Sequence, residues 1–231
     1  MHEVHRFEDA STLHLSLAEQ LASALVNGAE RRGSATLVVS GGRTPIPLFH
    51  ALRQQPIPWN RIQVSLADDR WVPAHHPDSN EGLVRRELLV GRASEAELVG
   101  LTSTAPDPRQ GHIDSEAAVA RLNQPFDAVV LGMGGDGHTA SLFPGSPDLH
   151  RGLSSEADLT IPVTPPAGVP HLRVSMTLRT LLNARGVYLH IEGADKWQRY
   201  LEARQQGPVE QYPVRALLEQ SSAPLHVYWA P

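Results

Sequence analysis

The sequence contains no cysteine, which excludes disulfides, thiolate metal sites and cysteine nucleophiles while leaving the cellular compartment open. Lysine is scarce as well, and arginine carries most of the basic charge. Acidic and basic residues nearly balance, 25 against 20, so a net charge of −5 offers no broad attraction to nucleic acid or to an anionic membrane. No apolar run approaches the roughly 20 residues that a membrane helix needs. The start, Met-His-Glu-Val-His-Arg-Phe-Glu-Asp, lacks the basic-then-apolar order of a secretory signal, and the cytoplasm is the expected location.

What is present reads as a folded chain. Apolar residues make up 41% and charged residues 19% of 231 positions, enough for a sizeable core in one expected domain, 1–231. Leu13, Leu17, Leu21 and Leu25 recur every four residues beside Ala18, Ala22 and Ala24, which predicts an amphipathic helix over 12–30. Short apolar runs then alternate with helical patterns. Strands are predicted at 35–39, 62–66, 126–131, 172–176, 187–191 and 225–228, and helices near 46–53, 79–90, 112–123, 177–184 and 195–204. Stretches 103–111 and 162–170, rich in Pro and Gly, read as surface loops. This alternation predicts a parallel or mostly parallel sheet covered on both faces, with ligands beyond the strand C-termini.

Three segments directly follow predicted strands and should gather at one sheet edge. The run Leu131-Gly-Met-Gly-Gly-Asp-Gly-His-Thr-Ala-Ser-Leu-Phe-Pro144 places Asp136 and His138 in a loop with glycines at 132, 134, 135 and 137. A carboxylate and an imidazole presented there point to proton transfer on a small molecule. Val39-Ser-Gly-Gly-Arg-Thr-Pro45 joins a strand to a helix, and its N–H groups with the Ser40 and Thr44 hydroxyls suit phosphate as well as they suit a plain turn. Ala67-Asp-Asp-Arg-Trp-Val-Pro73 offers Asp68 to a ligand hydroxyl or catalytic group and Arg70 to a phosphate, or else an Asp–Arg pair that stiffens a loop. Ser79 and Asn80 read as helix caps. Lys196 is poorly placed for the dipole in the first turn of its helix, which a bound anion would excuse, although a surface lysine is the commoner explanation, and Arg173 reaches either the same site or a sheet edge.

Competing readings fit less well. Gly132, Gly134 and Gly137 spell a dinucleotide fingerprint with Glu156 about 20 residues on, but Asp136 would oppose a pyrophosphate and Pro144 limits the helix that should follow. Ser141 lacks the flanking glycines of a nucleophile elbow. None of the 12 histidines falls in a zinc-ligand spacing; His75 and His76 read as solvated and His190 as a core histidine.

Taken in order, Ser40-Gly-Gly-Arg-Thr-Pro, Asp68-Asp-Arg-Trp-Val-Pro, Ser79-Asn80, the Leu131–Pro144 run, Arg173-Val-Ser-Met-Thr and Gly193-Ala-Asp-Lys196 closely resemble the 6-phosphogluconolactonase family, of the superfamily shared with glucosamine-6-phosphate deaminase. One departure is Asp69, where the family usually has glutamate. The resemblance implies an α/β fold, a three-layer sandwich whose central, mostly parallel sheet is doubly wound in Rossmann-like fashion with helices on both faces. It also implies hydrolysis of 6-phospho-D-glucono-1,5-lactone in the oxidative pentose phosphate pathway, with no metal or organic cofactor. The matching site residues are Ser40, Gly41, Gly42, Asp68, Arg70, Asp136, His138, Arg173 and Lys196, with Thr44 beside them. His138 would act on water, and Asp136 or Asp68 would orient it or bind sugar hydroxyls. The expected partner is a phosphorylated sugar lactone, with no nucleic acid or membrane, in a monomer or weak homo-oligomer. A deaminase-isomerase is the alternative enzyme, but it carries a glutamate five residues beyond the histidine, where this chain has Phe143. A non-catalytic sugar-phosphate-binding protein is the other alternative.

Overall fold

The computed structural model describes residues 2–231. Strand β1 (Glu3–Arg6) leads into helix α1 (Ala10–Arg32), followed by β2 (Ala35–Val39), α2 (Ile46–Leu52), β3 (Ile62–Leu66) and the short β4 (Asp68–Arg70). Then come α3 (Asn80–Glu87), β5 (Glu97–Val99), α4 (His112–Ala120), β6 (Ala128–Leu131), α5 (Leu149–Leu153), β7 (Thr160–Val163) and β8 (Arg173–Met176). The chain closes with α6 (Leu178–Leu182), β9 (Val187–Glu192), α7 (Ala194–Ala203), α8 (Val214–Glu219) and β10 (Leu225–Ala230).

The leucine stripe of α1 is wholly buried, as its spacing requires. The helix starts earlier than the stripe because Asp9 accepts the Thr12 N–H at 2.8 Å, and it ends on Arg31 and Arg32, whose charge complements the dipole. Seven parallel strands form the main sheet in the order β1-β10-β9-β6-β2-β3-β5. Every residue of β2 and β6 is buried, which is why both read as unbroken apolar runs. From β2 the chain winds outward through β3 and β5, returns to β6 on the other side of β2, and then winds the opposite way through β9 and β10. The reversal makes a crevice between the C-terminal ends of β2 and β6.

Right-handed crossovers running in opposite directions place helices on opposite faces. Gln20 of α1 reaches Tyr188 of β9 on one face, while Trp197 of α7 packs 4.8 Å from Trp229 of β10 on the other. The doubly wound α/β fold is therefore present. No helix among the described residues is long and apolar enough to cross a membrane.

A second, antiparallel sheet, β4-β8-β7, was not predicted. The segment read as a loop at 68–70 is strand β4, and the predicted strand at 172–176 joins it rather than the parallel sheet. The loop predicted at 162–170 begins inside β7, where Pro162 is tolerated because β7 is an edge strand. These three- and four-residue strands carry no alternation to read. The same shortness hid β1, β5, α5 and α8. Helix α3 stops at Glu87 and α4 at Ala120, three residues short of prediction in each case, and Phe126 makes only an isolated bridge to Ala184.

Candidate active site

The crevice opens into a cavity of about 460 Å³. Ser40, Gly41, Gly42 and Thr44 line it from the loop after β2, Asp68 and Arg70 from β4, and Asp136 and His138 from the loop after β6. Arg173 of β8 and Lys196 of α7 complete the wall. All ten residues singled out in the sequence therefore meet in one place, at the strand C-termini.

His138 Nδ1 lies 2.6 Å from Asp136 Oδ1, which also accepts the His138 backbone N–H at 3.1 Å. With the ring proton on Nδ1 shared with a carboxylate, Nε2 keeps its lone pair and has no hydrogen-bond partner among the described residues. Burial works against the Asp136 charge, yet hydrogen bonding and the charge of His138 hold its carboxyl below the usual carboxylate range. The imidazole rests on the Phe143 ring, centroids 4.5 Å apart, and against Gly134, where a Cβ would come within 2.1 Å of Nδ1. That close approach is one reason the loop is glycine-rich. After the loop the chain turns through a Thr139–Leu142 bridge and reaches its next helix only at Leu149, so no long helix points its dipole at a pyrophosphate.

The second cluster is cationic. Arg70 and Arg173 stand directly opposite each other across the β4–β8 ladder, a destabilising arrangement for like charges. Each is tied to a backbone carbonyl, Arg70 Nη1 to Asp78 at 2.5 Å and Arg173 Nη2 to Pro170 at 3.2 Å. Arg173 Cζ also lies 5.6 Å from the Phe143 ring. Burial, and then the Arg70 charge, lower the Arg173 pKa against the pull of Asp68. The Nε atoms of both arginines and the Ser40 hydroxyl are buried without a protein hydrogen bond. These three donors, in a cavity whose lining also leaves His190 Nε2 buried without a partner, are groups that an anion could satisfy. Ser40 contributes its hydroxyl only, since its N–H is bonded to the Val130 carbonyl at 2.9 Å. Lys196, the only lysine of the chain, donates from Nζ to the Met133 carbonyl. Burial lowers its pKa, with Asp136 opposing.

Asp68 and Asp69 divide their work. Asp68 faces the cavity and accepts the Ser141 hydroxyl at 2.5 Å, which accounts for that serine. Asp69 is fully buried and accepts backbone N–H groups from Arg70, Asn80 and Glu81 at 2.7, 2.7 and 3.0 Å, anchoring the start of α3 rather than pairing with Arg70. The position where the resemblance fails is thus not in the cavity wall. Burial pushes the Asp69 carboxyl from 3.8 up to about 6 against those hydrogen bonds. A raised acid favours folding most below its unfolded value and loses that contribution as pH climbs through the folded one. Urea denaturation should therefore show the stability margin of the wild type over Asp69→Asn narrowing between about pH 4 and pH 6. A margin independent of pH in that window would contradict it.

Sequence reasoning missed several wall residues. Asn80 was read as a cap, but Ser79 is the cap, accepting Gly82 N–H at 3.1 Å. Asn80 instead lines the cavity, donating to the Asp68 carbonyl at 2.8 Å. His190, read as a core histidine, is buried but reaches the cavity beside Glu192. Glu192 Oε1 is 2.8 Å from His190 Nε2 and 2.7 Å from His14 Nε2. The His14 contact is a hydrogen bond, whereas His190 Nε2 is close but buried without hydrogen-bond geometry; both separations are tighter than donors spread around a tetrahedral zinc with roughly 2 Å bonds. The available signal was position: Glu192 ends β9 and His190 lies two residues before it, and in parallel sheets ligands sit beyond the strand C-termini.

This constellation, on a doubly wound sheet, defines a family. Residues 8–229 match the model described as glucosamine-6-phosphate isomerases/6-phosphogluconolactonase, and the chain belongs to that family. Within it, the chain is 41% identical to a 6-phosphogluconolactonase of Pseudomonas putida over 99% of its own length and 93% of the relative's. It is 38% identical to one from Neisseria meningitidis, covering 98% of both. A crystal structure of a 6-phosphogluconolactonase from Shewanella baltica superposes with a TM-score of 0.97 at 39% identity, covering 100% of this chain and 98% of that one. A monomeric glucosamine-6-phosphate deaminase shares the fold at 18% identity with a TM-score of 0.80, covering 97% of this chain and 96% of that one.

Proposed function

We propose that this protein is a 6-phosphogluconolactonase, hydrolysing 6-phospho-D-glucono-1,5-lactone to 6-phospho-D-gluconate in the oxidative pentose phosphate pathway. The observation that carries the reading is the pairing, in one cavity, of an imidazole with a free Nε2 and buried arginine and serine donors with no protein partner. The substrate has matching ends: an ester carbonyl at C1 and a phosphate at C6.

In the mechanism, Arg70, Arg173 and Lys196 hold the 6-phosphate with the Ser40–Thr44 turn, and this fixes C1 near His138. His138 Nε2 takes a proton as water attacks C1, forming a tetrahedral intermediate whose oxyanion is stabilised by N–H groups of the glycine loop. The C1–ring-oxygen bond then breaks, and the imidazolium returns the proton to the departing oxygen, which becomes the C5 hydroxyl. The new carboxylic acid ionises into solvent. Asp136 holds the ring with Nδ1 protonated and offsets its transient charge; Asp68 serves the sugar hydroxyls. No step calls for a metal or an organic cofactor. Site residues from Ser40 to Lys196 lie in one chain, which supports 1–231 acting as a single catalytic domain without a residue from a second copy; a monomer or weak homo-oligomer in the cytoplasm is the form proposed with it.

A short-time assay on freshly generated lactone, corrected for spontaneous hydrolysis, tests the reading: enzyme-dependent consumption is expected. No acceleration, or appreciable ammonia from glucosamine 6-phosphate, would overturn it. Phe143 opposes that second outcome, since it fills the position beyond His138 with a ring that cannot shuttle protons.

Because Lys196 is the sole lysine, an amine-acylating reagent has one side chain to modify. Activity should fall in step with Lys196 labelling, and inorganic phosphate should slow both, as read by peptide mapping and residual turnover. A fully labelled, active enzyme would remove Lys196 from the phosphate grip.

A further inference from the structure

Four glycines between 132 and 137 give the loop its close contacts, but they also leave it free to move, and catalysis needs His138 held in place. Inside, the Gly134 N–H bonds the His138 carbonyl at 2.8 Å and Lys196 bonds the Met133 carbonyl; a second set of restraints lies outside the cavity. Arg199, one turn beyond Lys196 on α7, donates from Nε to the Gly135 carbonyl at 2.8 Å. Its guanidinium is itself fixed by Glu202 Oε2 at 2.5 Å and by the Tyr212 hydroxyl, and lies 4.8 Å from the Tyr212 ring centroid. The Tyr212 hydroxyl completes the triangle by donating to Glu202 Oε2 at 3.1 Å. Two residues further along the loop, the Gly137 carbonyl accepts the Val214 N–H at 2.9 Å. Gly137 sits at φ +82° against Tyr212, where a Cβ would come within 2.8 Å of the ring.

Both loop carbonyls are thus drawn outward. In a trans peptide the following N–H points the opposite way, so the amides of Asp136 and His138 turn inward. The His138 amide lands on Asp136 Oδ1, the same oxygen that takes His138 Nδ1. The outer anchors and the inner pair therefore hold opposite sides of the same peptides. Neither Arg199, Glu202 nor Tyr212 lines the cavity.

We propose that Arg199 is a positioning residue for the lactonase reaction: held by Glu202 and Tyr212, it sets the Gly135–Asp136 peptide and through it the Asp136–His138 pair. This rests on the function proposed above. Lysine is an incomplete substitute, because a single ammonium cannot reproduce the planar fork that reaches the Gly135 carbonyl, Glu202 and Tyr212 together.

The test compares the wild type with Arg199→Met and Arg199→Lys. In Arg199→Met, kcat should fall about 10- to 100-fold, the scale of a misplaced catalytic group, with KM, inhibition by inorganic phosphate and the thermal midpoint unchanged. Arg199→Lys should lie between. The ring nitrogens of His138, followed by NMR, should report the Nδ1-protonated tautomer in the wild type and a mixture in Arg199→Met. Wild-type kcat in a folded Arg199→Met, or a loss of kcat that moves together with KM, phosphate inhibition and thermal midpoint, would overturn the proposal. Should Arg199→Met fail to fold, Arg199→Lys decides: a kcat deficit at unchanged KM supports it and wild-type kcat refutes it. A wild type inactive on the lactone would refute the proposed function, while the tautomer comparison would still judge the role of Arg199.

Discussion

Replacing His138 with alanine is expected to lower kcat for 6-phosphogluconolactone by about 10²–10⁴-fold, the contribution of a positioned general base. The substitution removes an imidazole whose Nδ1 is paired to the Asp136 carboxylate and whose Nε2 is left to accept a proton. Binding should survive it, because the arginines proposed to hold the phosphate hang from β4 and β8 and neither contacts the His138 ring. Product affinity, measured by calorimetry with 6-phosphogluconate, should match that of the wild type. Turnover near the wild-type rate would show that another group activates the water. Equal loss of turnover and binding would mean that the ring supports the cavity's shape instead.

Arg173→Met should show the opposite pattern. A hydrogen bond to a charged group is worth about 1.5–3 kcal/mol, so losing one from the phosphate should raise KM about 10- to 100-fold. Glucono-1,5-lactone, which lacks the phosphate, should react with wild type and variant alike. The free protein carries two guanidinium groups face to face, one of them buried, and removing one relieves that repulsion. Arg173→Met should therefore melt no lower than the wild type in phosphate-free buffer. Added phosphate should raise the melting temperature of the wild type, since a ligand that binds only the folded state stabilises it, and should do much less for the variant. A variant with unchanged KM, still stabilised by phosphate, would place the anion elsewhere.

Much of the architecture was legible because it follows from local pattern. The α1 leucine stripe and the apolar runs of β2, β3, β6 and β9 carry the periodicities of their elements, and the three strand-end loops fell where parallel sheets place ligands. What stayed hidden depends on partners far away in sequence. Nothing around Arg70 announces that a three-residue strand will set it opposite Arg173, about 100 positions on. That pairing brings two guanidinium groups together at the cavity wall, which is the basis of the proposed anion grip. Asp69 shows the same limit, since its role appears only when α3 folds back onto its carboxylate. His190 was judged by its apolar neighbours, although its place near the end of β9 was the better guide. Arg199 carried no signal at all: its function lies in a carbonyl 64 residues away.

A crystal structure with 6-phosphogluconate bound would test the central claim most directly. It should show the phosphate among Arg70, Arg173, Lys196 and Ser40, with the C1 carboxylate within hydrogen-bond reach of His138 Nε2. A product lying with its phosphate away from the arginines, or with C1 out of reach of that imidazole, would contradict the account.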